Sequence, residues 1–319
     1  MKYGFGVDLG GTTVKLAYFD EAGTMLSKWE IPTVKDNNGA NILPDIAASV
    51  LGYMKENGIA KEDILGVGIG VPGPINDKGV VNGCVNLGWD VMDISGTLGQ
   101  LTGLPVRAGN DANVAALGEC WKGGGQGCKN MVMATLGTGV GGGIILDGKV
   151  IHGTNGAGGE IGHMVLNRNE TRRCGCGKCG CVEQYCSATG IATMAKDYLA
   201  ATDIATPLRN KETIIAKDVF DCAKEGDAAA NAILDQVYAY MGEFLANICC
   251  VVDPEVIVLG GGVSKAGQIL LDGAQKAFMK YAFRGCRTTR FALATLGNDA
   301  GAYGAFKLVL DAQQGFPCK

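Results

Sequence analysis

A dense group of metal-binding side chains lies in one short stretch of the sequence. Cys174, Cys176, Cys179 and Cys181 alternate with glycines and one lysine, and His163 precedes them. Thiolates and an imidazole are donors that zinc prefers, and four of them complete a tetrahedral structural site. The sequence therefore predicts a zinc site made of His163 and three of the four cysteines. A site made of all four cysteines, with the histidine free, is the alternative.

Three glycine-rich segments each follow an apolar stretch that predicts a β-strand: 8–13, 136–139 and 259–264. Glycine allows close approach to a phosphate chain, and successive backbone N–H groups form a concave anion-binding surface. One such segment could equally be a tight turn required by the fold, but three in one chain favour a nucleotide. Neither a Walker P-loop nor a dinucleotide fingerprint is present. The expected contacts with the nucleotide and Mg²⁺ are Asp8, Gly10, Gly11, Thr12, Thr13, Thr138, Gly139, Gly261 and Gly262.

Asp111 is the carboxylate best suited to acid–base chemistry. It follows Asn110 at a predicted strand-to-helix junction, where its side chain can face a cleft and Asn110 can orient a hydroxyl. Phosphoryl transfer needs an aligned hydroxyl, a base that takes its proton, and cations on the phosphates. Asp111 would supply the base, and Asp8 an oxygen ligand for Mg²⁺ through water. Asp and Asn are also favoured helix N-caps, and that role is compatible with catalysis.

Polar groups on either side of the cysteine segment are suited to a sugar. Glu160, His163 and Glu183 lie on the loop that a zinc ion would fix. Carboxylates accept strong hydrogen bonds from neighbouring hydroxyls, which sugars supply in abundance. Phosphoryl transfer has no use for a zinc-bound hydroxide, so the zinc is expected to be structural.

Strand and helix patterns are mixed throughout the chain, which predicts an α/β protein. A hairpin with a glycine-rich tip is predicted over residues 3–19, and a second over 131–146 with its returning strand at 142–146. Further strands are predicted over 64–71, 256–259 and 291–294. Helices are predicted over 41–55, 112–120, 182–198 and 228–252, after Ser264, and from Ala300.

Composition argues against several functions. The chain has 319 residues, 47% of them hydrophobic, and a net charge of −4, as expected for a globular protein without a basic face for nucleic acid or an anionic membrane. Neither a signal peptide nor a membrane span is predicted, so a cytoplasmic location is expected. In that reducing compartment, clustered cysteines favour metal binding over disulfides.

Taken together, these motifs resemble those of the ROK family of repressors, open reading frames and kinases, over essentially the whole chain. Asp8–Thr12 and Leu136–Gly143 resemble the family's two phosphate motifs, and Gly159–His163 with Cys174–Glu183 is similar to its zinc signature. Position 179 is usually not cysteine in that signature, so the resemblance implies His163, Cys174, Cys176 and Cys181 as the ligands. The segments 71–74 and 85–89 resemble sugar-pocket segments of the glucose-phosphorylating branch.

The resemblance implies an actin-like ATPase (ribonuclease H-like) fold with two lobes and a central cleft. The smaller α/β lobe would comprise residues 1–109, completed by a C-terminal helix at 300–319. The larger α/β lobe would comprise 110–299 and carry the zinc-binding loop 163–181. A homodimer is expected from the resemblance alone.

The resemblance also implies ATP-dependent phosphorylation of D-glucose at its 6-hydroxyl, with Asp111 as the activating base. The sugar-binding residues would be Gly73, Asn86, Asn110, Asp111, Glu160, His163 and Glu183. His163 would then bind zinc through one ring nitrogen and the sugar through the other. A kinase for another hexose, such as N-acetylmannosamine or fructose, remains an alternative, as does polyphosphate as the donor. A sugar-responsive regulator would need a DNA-binding domain ahead of Asp8, where we expect none.

Overall fold

The structure is a computed structural model that describes residues 1–313. The β-strands are β1 (Tyr3–Leu9), β2 (Thr13–Asp20), β3 (Met25–Pro32), β4 (Ile64–Val71), β5 (Val80–Cys84), β6 (Trp89–Asp93), β7 (Val106–Asn110), β8 (Met131–Leu136), β9 (Val140–Leu146), β10 (Lys149–Val150), β11 (Val256–Gly260) and β12 (Arg290–Leu293). The α-helices are α1 (Asp36–Gly39), α2 (Ile42–Glu56), α3 (Ile94–Thr102), α4 (Asp111–Lys122), α5 (Glu183–Cys186), α6 (Ala188–Ala201), α7 (Ala216–Lys224), α8 (Ala228–Val252), α9 (Gln268–Tyr281) and α10 (Ala300–Gln313).

The chain forms two compact units. Unit 1 comprises residues 1–127, 149–159 and the chain from 298 onward, and unit 2 comprises 128–148 and 160–297. This division differs from the expected one after residue 109, because α4 lies in unit 1. Glycines explain why α4 packs so closely on α10: a methyl group on Gly304 would lie 1.7 Å from the carbonyl oxygen of Val114. The predicted helix at 300–319 is described to residue 313, and its last six residues lie outside the described chain.

Unit 1 is built on a sheet with the strand order β3-β2-β1-β4-β7. The predicted N-terminal hairpin is confirmed, since β1 and β2 pair antiparallel with Asp8 opposite Lys15. Strands β4 and β7 extend the sheet in parallel. Strand β3 was not predicted; its side chains are at most half-buried, and Ser27, Lys28 and Glu30 interrupt its apolar residues. Parallel strands therefore end at Val71 and Asn110, on the same edge of the sheet.

Helix α10 packs directly on this sheet because the strand positions facing it are glycines. A methyl group on Gly6 would lie 2.0 Å from the carbonyl oxygen of Ala302, and one on Gly68 would lie 1.7 Å from that of Ala305. Real side chains do not approach a backbone atom so closely, so only glycine permits this contact. Phe306 of α10 also stacks on Phe19 of β2, with ring centroids 5.0 Å apart.

Several elements of unit 1 were left unassigned by the sequence patterns. They include the small two-stranded sheet of β5 and β6, the helix α3 with its cap Asp93, and the bounds of β7, of which only the end before Asp111 was predicted. These segments are short and rich in glycine, so their periodicity is too weak to identify them. They matter because the turn between β5 and β6 carries Asn86 and because β7 leads into Asp111.

Unit 2 contains the second predicted hairpin, β8 with β9, and the parallel strands β11 and β12 beside β8. The hairpin is confirmed, although β9 begins at Val140 and not at Gly142. The long helix α8 buries Met241, Phe244 and Leu245 completely in the core. Neither α8 nor any other helix within residues 1–313 combines the length and apolar character needed to cross a membrane.

The single helix predicted over 182–198 is wrong, because the chain forms α5 and α6 with a break at Ser187. The Ser187 backbone is extended (φ −79°, ψ 166°), and its hydroxyl accepts a hydrogen bond from the Gly190 N–H, which caps α6. A serine that satisfies a free N–H in this way starts a new helix in place of continuing the old one. The break orients α5, which begins with Glu183.

Changing Gly6 to Ala is predicted to lower the free energy of unfolding by about 2 kcal/mol, because the methyl group must push α10 away from β1. Urea denaturation followed by circular dichroism measures this change. Gly52→Ala in α2 is the matched control, since no described atom lies within 4 Å of its methyl position. It should instead raise stability by about 0.5–1 kcal/mol through helix propensity. Equal effects of the two substitutions would contradict the close-contact explanation.

Candidate active site

The first glycine-rich segment forms the closed turn between β1 and β2. The Gly10 N–H donates to the carbonyl oxygen of Thr13 at 3.0 Å, and the Thr33 hydroxyl donates to that of Gly10 at 2.8 Å. A methyl group on Gly10 would lie 2.8 Å from the Thr13 oxygen. Thr12 is exposed in the turn, and Thr13 begins β2. The segment thus offers a side-chain-poor backbone at the end of a buried strand, which suits a phosphate chain.

Asp8 places a partly buried carboxylate beside this turn. Its Oδ2 lies 3.5 Å from the Lys15 Nζ, and its side chain is 21% exposed. Burial raises the pKa of Asp8, while the neighbouring Lys15 opposes that rise. An oxygen donor of this kind fits Mg²⁺, which prefers hard carboxylate and water ligands.

Asp111 is the first residue of α4, directly after β7, so the predicted strand-to-helix junction is confirmed. Its Oδ1 accepts a hydrogen bond from the Ala112 N–H at 2.8 Å. Asn110 caps the helix by accepting from the Asn113 N–H, and its Nδ2 donates to the carbonyl oxygen of Gly73 at 3.1 Å. The cap therefore ties Gly73 to the carboxylate that could act as a base.

Asn86 lies exposed in the turn 85–87 between β5 and β6. Burial raises the pKa of the preceding Cys84 thiol, and the negative charge of Asp111 contributes to the same shift. A methyl group on Gly73 would lie 3.6 Å from the Cys84 Cβ. Gly73 and Asn110 are thus linked next to Asp111, and Gly73 also lies close to the turn that carries Asn86.

The predicted zinc ligands of unit 2 lie together. The donor atoms of His163, Cys174, Cys176 and Cys181 all lie within 4.8 Å of one another. The Cys176 and Cys181 sulfurs are 3.6 Å apart, and the Cys174 sulfur is 3.7 Å from the His163 Nδ1. A tetrahedron with Zn–S bonds of 2.3 Å has edges of about 3.8 Å. The cluster is therefore compatible with a structural zinc ion.

Cys179 lies outside this cluster, since its sulfur faces the carbonyl oxygen of Thr171 at 3.7 Å. Among the described residues, the four-cysteine alternative is not the arrangement that forms. Burial raises the pKa of the Cys174 and Cys181 thiols. Thiolates at these positions would need a cation, which a zinc ion would supply.

The two ring nitrogens of His163 face different partners. Its Nδ1 faces the Cys174 sulfur and lies 3.7 Å from Glu183 Oε1, while its Nε2 lies 3.9 Å from Glu160 Oε2. Glu183 Oε1 is also 2.7 Å from the Cys174 sulfur. The three predicted sugar-binding groups of unit 2 therefore form one cluster with the cysteines.

The second glycine-rich segment meets this cluster through Gly139. The Gly137 N–H donates to the Gly139 carbonyl at 2.9 Å, which closes the turn, and a methyl group on Gly139 would lie 2.6 Å from Glu183 Oε2. A pocket of about 440 Å³ opens here, lined by Thr138, Gly139, Glu183, two arginines and the first turns of α6. The second glycine-rich turn and Glu183, which was predicted to bind the sugar, thus share one pocket within unit 2.

The third glycine-rich segment leads first into a 3₁₀ turn, and the helix predicted after Ser264 follows that turn. Gly262 begins a 3₁₀ turn over Gly262–Ala266, and α9 starts only at Gln268. Gly261 has a φ of +81°, and a methyl group on it would lie 2.6 Å from the carbonyl oxygen of Leu136. The segment is therefore pressed against the end of β8, where the second glycine-rich turn begins.

An ion-pair network that the sequence patterns did not predict fixes the cysteine loop. Arg172 donates from its Nε and Nη2 to the two carboxylate oxygens of Glu170, and from its Nη1 to Asp197 of α6 at 2.6 Å. The Tyr185 hydroxyl donates to Glu170 at 2.9 Å. The hydrogen bonds from Arg172 lower the pKa of Glu170 to about 2. Glu170 and Arg172 are two residues apart, but Tyr185 and Asp197 are distant in the sequence, so only the fold reveals the network.

Changing Glu170 to Gln is predicted to lower the free energy of unfolding at neutral pH by about 1–2 kcal/mol, because a charge-assisted pair is lost. The pKa of Glu170 lies below its ordinary value of 4.5, so its contribution is complete above that pH and disappears as the pH falls toward 2. Denaturation curves from pH 7 to pH 3 should therefore converge for wild type and Glu170→Gln. Glu212→Gln, an exposed control, should follow wild type throughout; a pH-independent gap for Glu170→Gln would contradict the assignment.

The sequence profile of the ROK family matches residues 4–312, and the chain belongs to this family. It is 45% identical over 309 residues to a glucokinase of Halalkalibacterium halodurans, covering 95% of this chain and 94% of that one. Its fold matches a ROK hexokinase from Thermus thermophilus with a TM-score of 0.81 and 32% identity, over 98% of this chain and 100% of the other.

A second solved structure carries ligands. A ROK family glucokinase from Streptomyces griseus, in complex with glucose and AMPPNP, matches with a TM-score of 0.74 and 34% identity, over 96% of this chain and 98% of the other. The predicted family and the α/β fold of the actin-like ATPases are thereby confirmed.

Proposed function

We propose that this protein is a glucokinase, which transfers the γ-phosphoryl group of ATP to the 6-hydroxyl of D-glucose. The observation that carries the proposal is the position of Asp111 at the start of α4, where the Asn110 cap binds the Gly73 carbonyl. A carboxylate held in this way is a fixed general base. Identity of 45% with a glucokinase over 95% of the chain supports glucose as the hexose.

In the proposed reaction Asp111 accepts the proton of the 6-hydroxyl while that oxygen attacks the γ-phosphorus in line. The bond from phosphorus to the bridging oxygen breaks, and ADP leaves. The hexose would be bound by Gly73, Asn86, Asn110, Asp111, Glu160, His163 and Glu183. Hydrogen bonds to several hydroxyls hold the reacting one in place, which accounts for much of the rate enhancement in such transfers.

The nucleotide would bind through the glycine-rich turns, at Gly10, Gly11, Thr12, Thr13, Thr138, Gly139, Gly261 and Gly262. Mg²⁺ bound with ATP would neutralise negative charge on the phosphates. Asp8 would hold that ion through a water ligand, as its partly buried oxygen atoms allow.

A zinc ion would be held by His163, Cys174, Cys176 and Cys181, with no position left for water. It would fix the loop on which Glu160 and His163 lie and the start of the helix that carries Glu183. The Nε2 of His163, which faces Glu160, would then remain available for the sugar. We also propose a cytoplasmic homodimer; no disulfide joins the cysteines within residues 1–313, which suits a reducing compartment.

Changing Asp111 to Asn is predicted to reduce kcat by about 10³-fold while glucose binding is largely kept, because the base is lost and the cap geometry is not. Coupled detection of ADP measures turnover, and calorimetry measures glucose affinity. Asp227→Asn is the control, since it makes the same substitution at the start of a helix, where Asp227 caps α8, away from the proposed site. It should retain full activity; an active Asp111→Asn enzyme would refute the base assignment.

Changing Cys176 to Ser is predicted to remove zinc, loosen the sugar-binding loop and lower both Tm and activity. Cys179→Ser is the control, because the Cys179 sulfur lies outside the cluster. Metal analysis should find one zinc per chain in wild type and Cys179→Ser, and none in Cys176→Ser. Wild-type protein without zinc, or loss of zinc from Cys179→Ser, would contradict the proposed ligand set.

A panel of substrates tests the choice of hexose and donor. Turnover should be most efficient with glucose and ATP, compared with N-acetylmannosamine and fructose as acceptors and polyphosphate as the donor. A higher kcat/KM for another hexose would keep the kinase assignment and change the substrate. If no pair of sugar and donor gave turnover, and the protein bound DNA in a sugar-dependent way in a gel-shift assay, the regulatory alternative would be favoured.

A further inference from the structure

Glycine and aspartate share the face of β1 that meets α10. Gly4, Gly6 and Asp8 are two residues apart, so they lie on the same side of the strand. At Gly6 the strand lacks a side chain, and the helix backbone of Ala302 fills the space. At Asp8 the arrangement is reversed: the strand carries the side chain, and the helix contributes a glycine, Gly301.

The contact between Gly301 and Asp8 involves the whole carboxyl group. A methyl group on Gly301 would lie 2.6 Å from the Asp8 Cγ and 2.9 Å from each of its two oxygens. Gly301 is the second residue of α10, where backbone N–H groups lack intrahelical acceptors and carry the positive end of the helix dipole. This end of the helix therefore favours a charged carboxylate at Asp8.

The start of α10 is held in place on two sides. Lys28 pairs with Asp299 at 2.8 Å, and Lys15 lies 3.5 Å from both the Asp8 Oδ2 and the carbonyl oxygen of Asn298. Both contacts tie the start of α10 to β2 and β3 and oppose its movement away from the sheet. A side chain at position 301 would therefore displace the Asp8 carboxylate more readily than the helix.

We propose that Gly301 is a positioning residue for Asp8, and that it sets how well this carboxylate supports Mg²⁺ in the bound Mg²⁺–nucleotide. The absence of a side chain at position 301 lets the first turn of α10 orient the Asp8 oxygens toward the glycine-rich turn. This inference rests on the proposed function, in which Asp8 holds Mg²⁺ through water.

Calorimetric titration with ADP, with and without Mg²⁺, tests the proposal independently of turnover. In wild type, Mg²⁺ should tighten ADP binding. In Gly301→Ala that Mg²⁺-dependent gain should fall about tenfold, because a group that orients a metal's ligand shell is lost. ADP affinity without Mg²⁺ and glucose affinity should stay within about twofold of wild type, since Gly301 contacts Asp8 and not the glycine-rich turn. Gly52→Ala, the matched helix control, should behave as wild type in all four titrations.

Two further variants separate the possible failures. Asp8→Ala should lose the Mg²⁺-dependent gain, and adding Gly301→Ala to it should cause no further loss in that gain or in Tm, because the methyl group then has room. A Gly301→Ala protein with wild-type Mg²⁺ dependence would overturn the positioning role. A fall in Tm of equal size with and without the Asp8 side chain would also overturn it. Asp8→Ala with wild-type Mg²⁺ dependence would instead refute the proposed role of Asp8 itself.

Discussion

The direct backbone contact between α10 and the central strands of its sheet is the constraint on which unit 1 depends. Glycines at positions 6 and 68 let the helix lie against β1 and β4, and glycine at 304 lets the same helix lie against α4. One helix thereby fixes both the strand that carries Asp8 and the helix that begins at Asp111. The positions of the proposed functional carboxylates Asp8 and Asp111 thus depend on close backbone contacts that only glycine allows.

Unit 2 fixes its functional groups differently, by polar anchors on an irregular loop. The cysteine cluster gathers His163 and three thiols, while Arg172 independently ties the same loop to α6 through Asp197. Glu183 lies where these anchors meet the glycine-rich turn at Gly139. A loop with little regular structure needs several such restraints, because its backbone alone defines no fixed conformation.

The sequence predicted what local patterns encode. Both glycine-tipped hairpins, the junction at Asp111 and the membership of the cysteine cluster follow from spacing, chemistry and family resemblance, and the structure has them. The break at Ser187 was missed because a serine within a helical pattern caps or continues a helix according to its tertiary surroundings. The ion pair of Arg172 with Asp197 and the contact of Gly301 with Asp8 join residues far apart in sequence. No periodicity encodes such contacts, so only the fold reveals them.

The place of α10 in the chain has a consequence for biosynthesis. Strand β1 leaves the ribosome before unit 2, whereas the helix that covers its glycine-lined face is translated only after unit 2. The strands of unit 1 therefore keep one face uncovered until α10 is made, whereas unit 2 can form its own core before that. Nascent chains of this kind expose hydrophobic surface for longer and depend more on chaperones. The surroundings of Asp8 are therefore completed only when α10 has been made, long after Asp8 itself.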